Sequence, residues 1–330
     1  MNIFDLQMFA NPNTQTTGTS TLSAEMKTYY DTELIEMAGP NLVHAQFGLK
    51  KSIPANGGKK IEWRKFSNFA KATTPLTEGV TPDGVGMTVT PVDVTLDQYG
   101  AYTTISDVLD LTAIDDIVLQ ATDKHGANAG LTLDTVTRNE LMKGTHVMRA
   151  GAKGSRSALT STDIITGELV AKAATFLKKQ NAPKINGSYV AIVHPSVAYD
   201  LRRDPEWLEA HKYSATKEIF EGEIGELHGV RFIESTEAKI WNDPSEDDTP
   251  SGLAVYGCLF LGKEAYGVVD ITGGGTEVII KQKGSAGTAD PLDQRSTVGW
   301  KSMYAAKILI PEYILRVEVC SSYSAIDSAN

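Results

Sequence analysis

The chain has 330 residues, of which 41% are hydrophobic and 22% are charged, and its formal net charge is −10. The hydrophobic content suffices for a sizeable core, and together with the charged fraction it excludes an intrinsically disordered chain. The acidic balance argues against a surface that coats nucleic acid throughout. The length predicts about two domains, or one domain with long excursions.

The N-terminal segment joins an apolar tip to a polar stretch. The tip carries the apolar side chains Ile3, Phe4, Leu6, Met8 and Phe9, and the polar stretch reads NPNTQTTGTST. It has neither the basic region nor the cleavage site of a signal peptide. A mobile tail is one interpretation, because the polar stretch buries too little to offset its ordering entropy. The apolar tip favours an arm that becomes ordered on another subunit, and residues 22–37 after it predict a helix.

Two segments with alternating apolar residues come next, separated by a long connection rich in Gly, Pro and Thr. Residues 59–66 place Ile61, Trp63 and Lys65 on one side of a strand, and residues 87–96 alternate in the same way. An isolated two-stranded ribbon is marginal in water. We therefore expect this ribbon to lie on a surface, either of its own domain or of a neighbouring subunit.

Helical spacing predicts two helices in the middle of the chain, at residues 112–143 and 162–180. The stretch between them, residues 144–157 (GTHVMRAGAKGSRS), is rich in glycine and basic residues. It matches no phosphate-binding loop, and we predict a mobile connector.

A compact pattern then runs from Tyr189 to Ser235. An apolar run at 189–193 predicts a buried strand, Pro195 suits the first turn of a short helix, and residues 230–234 predict another strand. A lid or inserted helix is expected at 205–220 and a surface loop at 242–252. The remaining predicted strands lie at 253–261, 265–271, 277–282, 298–310 and 313–320.

The sequence offers no recognisable catalytic, cofactor or metal motif. None of the six histidines pairs with another histidine or a cysteine at metal-ligand spacing. His194 follows a predicted strand, where a histidine more often caps a turn than catalyses. Cys258 and Cys320 sit in apolar runs and are expected to be small buried hydrophobes in a reducing compartment. The longest apolar run, 253–261, is too short to cross a bilayer.

Two stretches carry a resemblance to a known family. HPSVAYDLRRD followed by GEIGELHGVRFIES, and the motif LTEG…PDG…VTLDQYGAYTTISD between Leu76 and Asp107, resemble major capsid proteins of tailed bacteriophages, specifically the N-four-like family. The resemblance extends over nearly the whole chain. The segments 205–222 and 242–252 are not matched to the family pattern.

The resemblance implies an α+β chain with the Hong Kong 97-type capsid fold. The implied segments are an N-terminal arm and helix (1–48), an extended β-hairpin loop (49–104), the long spine helix and connector of a peripheral domain (105–157), a central axial domain (158–297) and return strands to the peripheral domain (298–330). It further implies a structural protein that self-assembles into pentamers and hexamers, without enzymatic activity or cofactor. The icosahedral shell of the virion would enclose double-stranded DNA.

Charge is distributed unevenly along the chain. Seven basic residues lie between Lys50 and Lys71 against a single acid, whereas residues 200–248 hold fourteen acids and six bases. These are either two unrelated solvated faces or a basic ribbon that lies on an acidic neighbour. The residues expected to contact other subunits are Phe4, Leu6, Phe9, Lys59, Lys60, Trp63, Arg64, Lys65 and Phe66. Charge reversal at positions 59, 60 and 65 is expected to impair assembly and leave the monomer folded.

The resemblance implies further partners and leaves two alternatives. A portal protein is expected, scaffold and decoration proteins are possible partners, DNA contact is expected to be non-specific, and no membrane is involved. Assembly is expected in the cytoplasm of the bacterial host. The alternatives are the shell of a cellular nanocompartment and a soluble α+β enzyme whose site has no recognisable motif.

Overall fold

The computed structural model describes residues 42–54, 56–112, 117–213, 223–245, 248–271, 275–285 and 290–330, without the side chains of residues 210–213 and 223. Strands in these ranges form a five-stranded sheet, a seven-stranded sheet and a two-stranded ribbon. All three belong to the unit Gly39–Asn330.

The five-stranded sheet has the order β1-β11-β13-β12, and β4 pairs with the other side of β13. Its strands are β1 (Leu49–Ile53), β4 (Asp97–Ser106), β11 (Tyr266–Ile271), β12 (Glu277–Lys281) and β13 (Arg295–Ile308). β1 runs parallel to β11, and the other pairs are antiparallel. The long strand β13 therefore joins every part of this sheet.

The seven-stranded sheet has the order β5-β14-β10-β6-β8-β7, with β9 on β10. Its strands are β5 (Val147–Arg149), β6 (Tyr189–Val193), β7 (Glu223–Leu227), β8 (Val230–Glu234), β9 (Ile240–Trp241), β10 (Val255–Leu261) and β14 (Ile314–Val319). Every residue of β6 and β10 is buried. A sheet covered on both faces requires such continuous apolar runs, which explains why the sequence pattern located these strands.

Five α-helices lie within the described ranges. They are α1 (Asp107–Thr112), α2 (Ile117–Leu141), α3 (Gly167–Lys179), α4 (Pro195–Arg203) and α5 (Pro205–Tyr213). Thr166 caps α3 by accepting the Leu169 N–H at 3.3 Å, so this helix begins five residues later than its apolar spacing predicted. The short helix α1 was not predicted.

The long helix α2 is fixed to the five-stranded sheet by polar contacts with β13. Trp300 Nε1 donates a hydrogen bond to Asn128 Oδ1 at 3.0 Å, and the hydroxyls of Thr137 and Tyr304 lie 2.7 Å apart. The main hydrophobic core joins this layer to the seven-stranded sheet through residues such as Leu141, Tyr266 and Leu259. The helix is thus held to the sheet by both polar and apolar contacts.

Strand pairing divides the chain differently from the predicted segments. β11 and β12 fall within the predicted axial segment, yet they pair in the five-stranded sheet with β13. β14 falls within the predicted return segment, yet it pairs with β10 in the seven-stranded sheet. At the two ends of the predicted extended loop, β1 and β4 likewise pair within the five-stranded sheet. Apolar runs reveal where strands are, but not which sheet they join.

The prediction of a mobile connector at residues 144–157 is wrong. Part of it forms β5, which pairs in parallel with β14. The carboxylate of Glu318 is fully buried and receives Arg149 Nε at 2.7 Å and Arg156 Nη2 at 2.7 Å, both from the connector. Arg316 Nε lies 3.1 Å from the same carboxylate. The connector is therefore fixed to β14.

We call Glu318 with Arg149, Arg156 and Arg316 the charged cluster. Burial acts to raise the pKa of Glu318, but hydrogen bonds and charges from the three arginines outweigh it, so that this pKa lies below its usual value. The Arg156 guanidinium also stacks on Trp241, 3.9 Å from the ring centroid. A carboxylate with three guanidinium partners keeps its charge although it is buried.

Candidate assembly surface

The ribbon consists of β2 (Lys60–Phe66), β3 (Val89–Thr95) and the connection between them. The two strands pair in antiparallel register from Lys60 opposite Thr95 to Phe66 opposite Val89. Both predicted ribbon strands are therefore confirmed within two residues. The structure separates the ribbon into two parts, a base that packs on the five-stranded sheet and a tip, residues 67–88, beyond the paired strands.

The ribbon base is packed into a small apolar cluster of its own. Val94 and Leu96 are buried there with Ile53 and with Val269 and Ala305 of the sheet. A side chain of this kind contributes about 1.5–3 kcal/mol when fully buried. The base is therefore held down by the protein's own core.

Trp63 completes this attachment. The Trp63 ring lies over Gly267, where an added Cβ would come within 2.7 Å of the ring, and it is half-buried. Glycine at 267 thus provides the space that the indole occupies. Trp63 was predicted to contact another subunit, but its visible contact is with β11 of the same chain.

The basic ribbon residues have acidic neighbours within the chain. Lys59 lies 3.5 Å from Asp97, Lys60 lies 2.5 Å from Asp93, and Lys65 lies 3.5 Å from Glu312. The hydrogen bond and charge of Asp93 raise the pKa of Lys60. Arg64 pairs at 3.1 Å with Glu62 of its own strand. These pairs are solvent-exposed, so their charges are only partly neutralised.

The ribbon tip has the opposite character. Every side chain of the tip is exposed, and so are those of the adjoining strand ends, back to Arg64 and on to Pro91. Large apolar side chains are among them, with exposed fractions from 55% to 76%: Phe66, Phe69, Leu76, Val80, Val85 and Met87. Of the predicted contact residues, Phe66 presents such a side chain. The other five exposed apolar residues were not predicted from the sequence as contacts. Their recurrence within a Gly- and Thr-rich stretch was a signal that could have identified them.

Phe4, Leu6 and Phe9, the predicted contact residues of the arm, lie outside the described residues. The described chain begins close to a buried polar pair. The His44 N–H donates to Asp134 Oδ1 at 2.8 Å, and His44 Nδ1 lies 2.7 Å from Asp134 Oδ2. Tyr266 donates its hydroxyl proton to the carbonyl of His44. These contacts fix the start of the described chain to α2 and β11.

Groups that suggested chemistry in the sequence have structural roles. His194 caps α4, because its Nδ1 accepts the Ser196 N–H at 3.2 Å, and burial lowers the pKa of its imidazole. Burial raises the pKa of both Cys258 and Cys320 to about 12, which keeps these thiols protonated and unreactive. Across the described ranges, no cluster of three or more His, Cys, Asp or Glu side chains is arranged to hold a metal ion. None of the described helices combines the length and hydropathy of a membrane span.

A family model described as phage capsid protein matches residues 89–317, well over half of the chain. The chain belongs to the phage capsid protein family. Its role is therefore structural, as a major capsid protein of a phage head. No curated protein sequence matches it.

Solved phage capsids share the fold of this capsid protein. The capsid structure of cyanophage P-SCSP1u aligns with a TM-score of 0.67 at 16% identity, covering 94% of this chain and 96% of that one. The capsid of Ralstonia phage GP4 aligns with a TM-score of 0.68 at 14% identity, covering 99% of this chain and 100% of that one. The capsid asymmetric unit of cyanophage Pam1 aligns with a TM-score of 0.72 at 10% identity, covering 92% of this chain and 98% of that one. The predicted α+β capsid fold is confirmed, and the likeness is consistent with the Hong Kong 97 type.

Proposed function

We propose that this capsid protein assembles into pentamers and hexamers, and that these close into an icosahedral shell around double-stranded phage DNA. Heterologous contacts between identical subunits build closed rings when their rotation closes. Many weak contacts per subunit then add to a durable particle. The shell forms in the bacterial cytoplasm and becomes the virion head.

The single observation that carries this proposal is the contrast within the ribbon. Its base is packed on the chain's own sheet, whereas its tip presents exposed apolar side chains. Several large apolar side chains exposed on one segment favour an interaction site. Because the base fixes the direction of the ribbon, the tip extends away from its own sheet and is available to a neighbouring subunit.

The contact residues follow from this division. On the ribbon, Phe66 and the apolar tip residues make the contact, while Lys59, Lys60 and Lys65 act mainly through their pairs with Asp97, Asp93 and Glu312. Trp63 positions the ribbon. Arg64, paired within its own strand, contributes charge at the edge of the contact. The arm provides a second apolar contact through Phe4, Leu6 and Phe9. Charge reversal at the three lysines would disturb the ribbon within its own subunit, and would impair assembly in that way.

Other components act on the assembled shell. A portal protein occupies one vertex, and scaffold or decoration proteins take part where the phage encodes them. Contact with packaged DNA is non-specific, in keeping with a net charge of −10 that disfavours extensive phosphate binding.

The test is assembly of the purified chain, observed by negative-stain electron microscopy. Leu76→Asp at the tip should lower particle yield by about tenfold, since a charge would be buried without a partner in the contact. Leu292→Asp is the matched control, because Leu76 and Leu292 are both 76% exposed. Unfolding curves of both variants should match the wild type.

Three outcomes oppose the proposal in different ways. A wild-type chain that stays monomeric at high concentration argues against shell assembly as such. Particles that form equally well from Leu76→Asp and wild type argue against the tip as the contact. Particles that contain a cargo enzyme in place of DNA would select a cellular nanocompartment.

A further inference from the structure

β12 is an outer strand of the five-stranded sheet. It pairs with β13 in antiparallel register, from Glu277 opposite Lys301 to Lys281 opposite Thr297. In the part of the chain that the structure describes, no strand pairs with its other edge. The unpaired N–H and C=O groups of such an edge are a template for another strand.

The side chains of β12 are unusually apolar for an open edge. Its sequence is EVIIK, with Val278 43% and Ile280 48% exposed on one face. Ile279 on the other face is half-buried, and the remaining described residues between Gly275 and Ser285 are exposed. Edge strands are usually protected by charges along their length, but here the charges stand only at the two ends.

The strand is complementary to itself. In an antiparallel pair of two β12 strands centred on Ile279, Glu277 of each copy lies opposite Lys281 of the other. Val278 then lies opposite Ile280 on the second face, and Ile279 faces its own counterpart across the two-fold axis. Opposite charges and apolar pairs of this kind each stabilise a sheet, by about 0.2–1 kcal/mol per pair.

We infer that β12 pairs with β12 of a second copy of this chain, in antiparallel register about a two-fold axis at Ile279, joining two five-stranded sheets into one. The interface is isologous, because the same strand serves both subunits, and pairing leaves neither edge open. This contact is distinct from the ribbon contact and rests on the proposed function, since it operates between subunits of the shell.

The contact is small and should act only in concert with others. Two five-residue strands bury far less than the roughly 1,200 Å² of a stable independent interface. Dilute protomers are therefore expected to remain unpaired at β12. In a particle, where other contacts hold subunits together, the effective concentration of the second strand is high and the pair forms.

Cysteine cross-linking in assembled particles tests the register. In Ile279→Cys the two thiols face each other across Cα atoms about 4.5–5.5 Å apart, within disulfide range. In the control Thr276→Cys, on the same exposed segment, the two positions would lie about 20 Å apart. Oxidised Ile279→Cys particles should contain at least about tenfold more covalent dimer than control particles, and the buried native cysteines do not interfere.

A charge exchange tests the same pairing without cysteine. Lys281→Glu places two acids opposite each other, and Glu277→Lys places two bases opposite each other, so each single variant should lower particle yield or stability. The double exchange should restore both. Glu277 also lies 3.2 Å from Lys301 of its own chain, so Lys281→Glu is the cleaner single variant.

The outcomes separate this inference from the proposed function. Normal particles of Ile279→Cys that give no more dimer than Thr276→Cys overturn the β12 pairing and leave shell assembly in place. A double exchange that assembles no better than the single variants also overturns the β12 pairing. If Ile279→Cys does not assemble, the charge exchange alone tests the pairing. A wild-type chain that forms no particles overturns both.

Discussion

Two glycine-containing stretches of this chain, the connector at residues 144–157 and the ribbon tip at residues 67–88, differ in what holds them. The connector pairs with β14 and sends Arg149 and Arg156 to the buried carboxylate of Glu318. The tip leaves all of its side chains exposed. The difference comes from one carboxylate that is distant in the sequence, since Glu318 holds the connector in place and the tip has no such partner within the described residues.

Removing that carboxylate should produce the largest effect on stability. Glu318→Gln leaves three guanidinium groups around a neutral amide, and breaking a buried ion pair in this way costs about 3–5 kcal/mol. Denaturant unfolding of the protomer measures the loss. Glu168→Gln is the control, because the ion pair of Glu168 with Lys172 is solvent-exposed and its loss should change the stability far less. Equal losses in the two variants would contradict the account of the connector.

Truncating a leucine at the base and another at the tip should change the stability of the protomer by very different amounts. Leu96 is fully buried and Leu76 is 76% exposed. Leu96→Ala should lower the free energy of unfolding by about 2–5 kcal/mol, since it leaves a cavity. Leu76→Ala should change it by less than about 0.5 kcal/mol, as surface substitutions do. A similar loss in both variants would mean that the tip is packed within the single chain.

Acidification should give the smallest and most specific effect. The pKa of Glu318 is lowered in the folded protein, so its contribution is fully present above its ordinary value of about 4.3 and is lost as the pH falls through the lower folded value. The stability difference between wild type and Glu318→Gln should therefore be constant near neutral pH and shrink below about pH 4. Unfolding curves at a series of pH values measure it. A difference independent of pH would show that the charge of the carboxylate is not what matters.

Local pattern located most of the strands in the chain. The buried runs of β6 and β10, and the alternation of β2 and β3, have periods that the sequence displays directly. Helix starts were less accurate, because the cap of α3 is a single threonine, Thr166, within a run of similar residues. The capsid family was predicted from longer motifs and is confirmed.

Relations between distant residues could not be predicted from the sequence. The prediction for the connector failed because its glycine content indicates only how flexible the segment is by itself. The carboxylate that fixes it, Glu318, lies more than 160 residues away in the sequence. The direction of Trp63 depends on a glycine at position 267, and the buried pair of His44 with Asp134 joins residues 90 apart. Ribbon alternation shows that Trp63 shares a face with Ile61, but not whether that face meets its own sheet or another subunit.

The position of β14 has a consequence for how subunits are made. β14 follows the other described strands in the sequence, yet it lies between β5 and β10 and supplies Glu318 to the connector. A ribosomal product that stops before Ile314 leaves two inner strand edges bare and the two connector arginines without their acid. We therefore expect a chain that lacks β14 not to fold into a building block of the head.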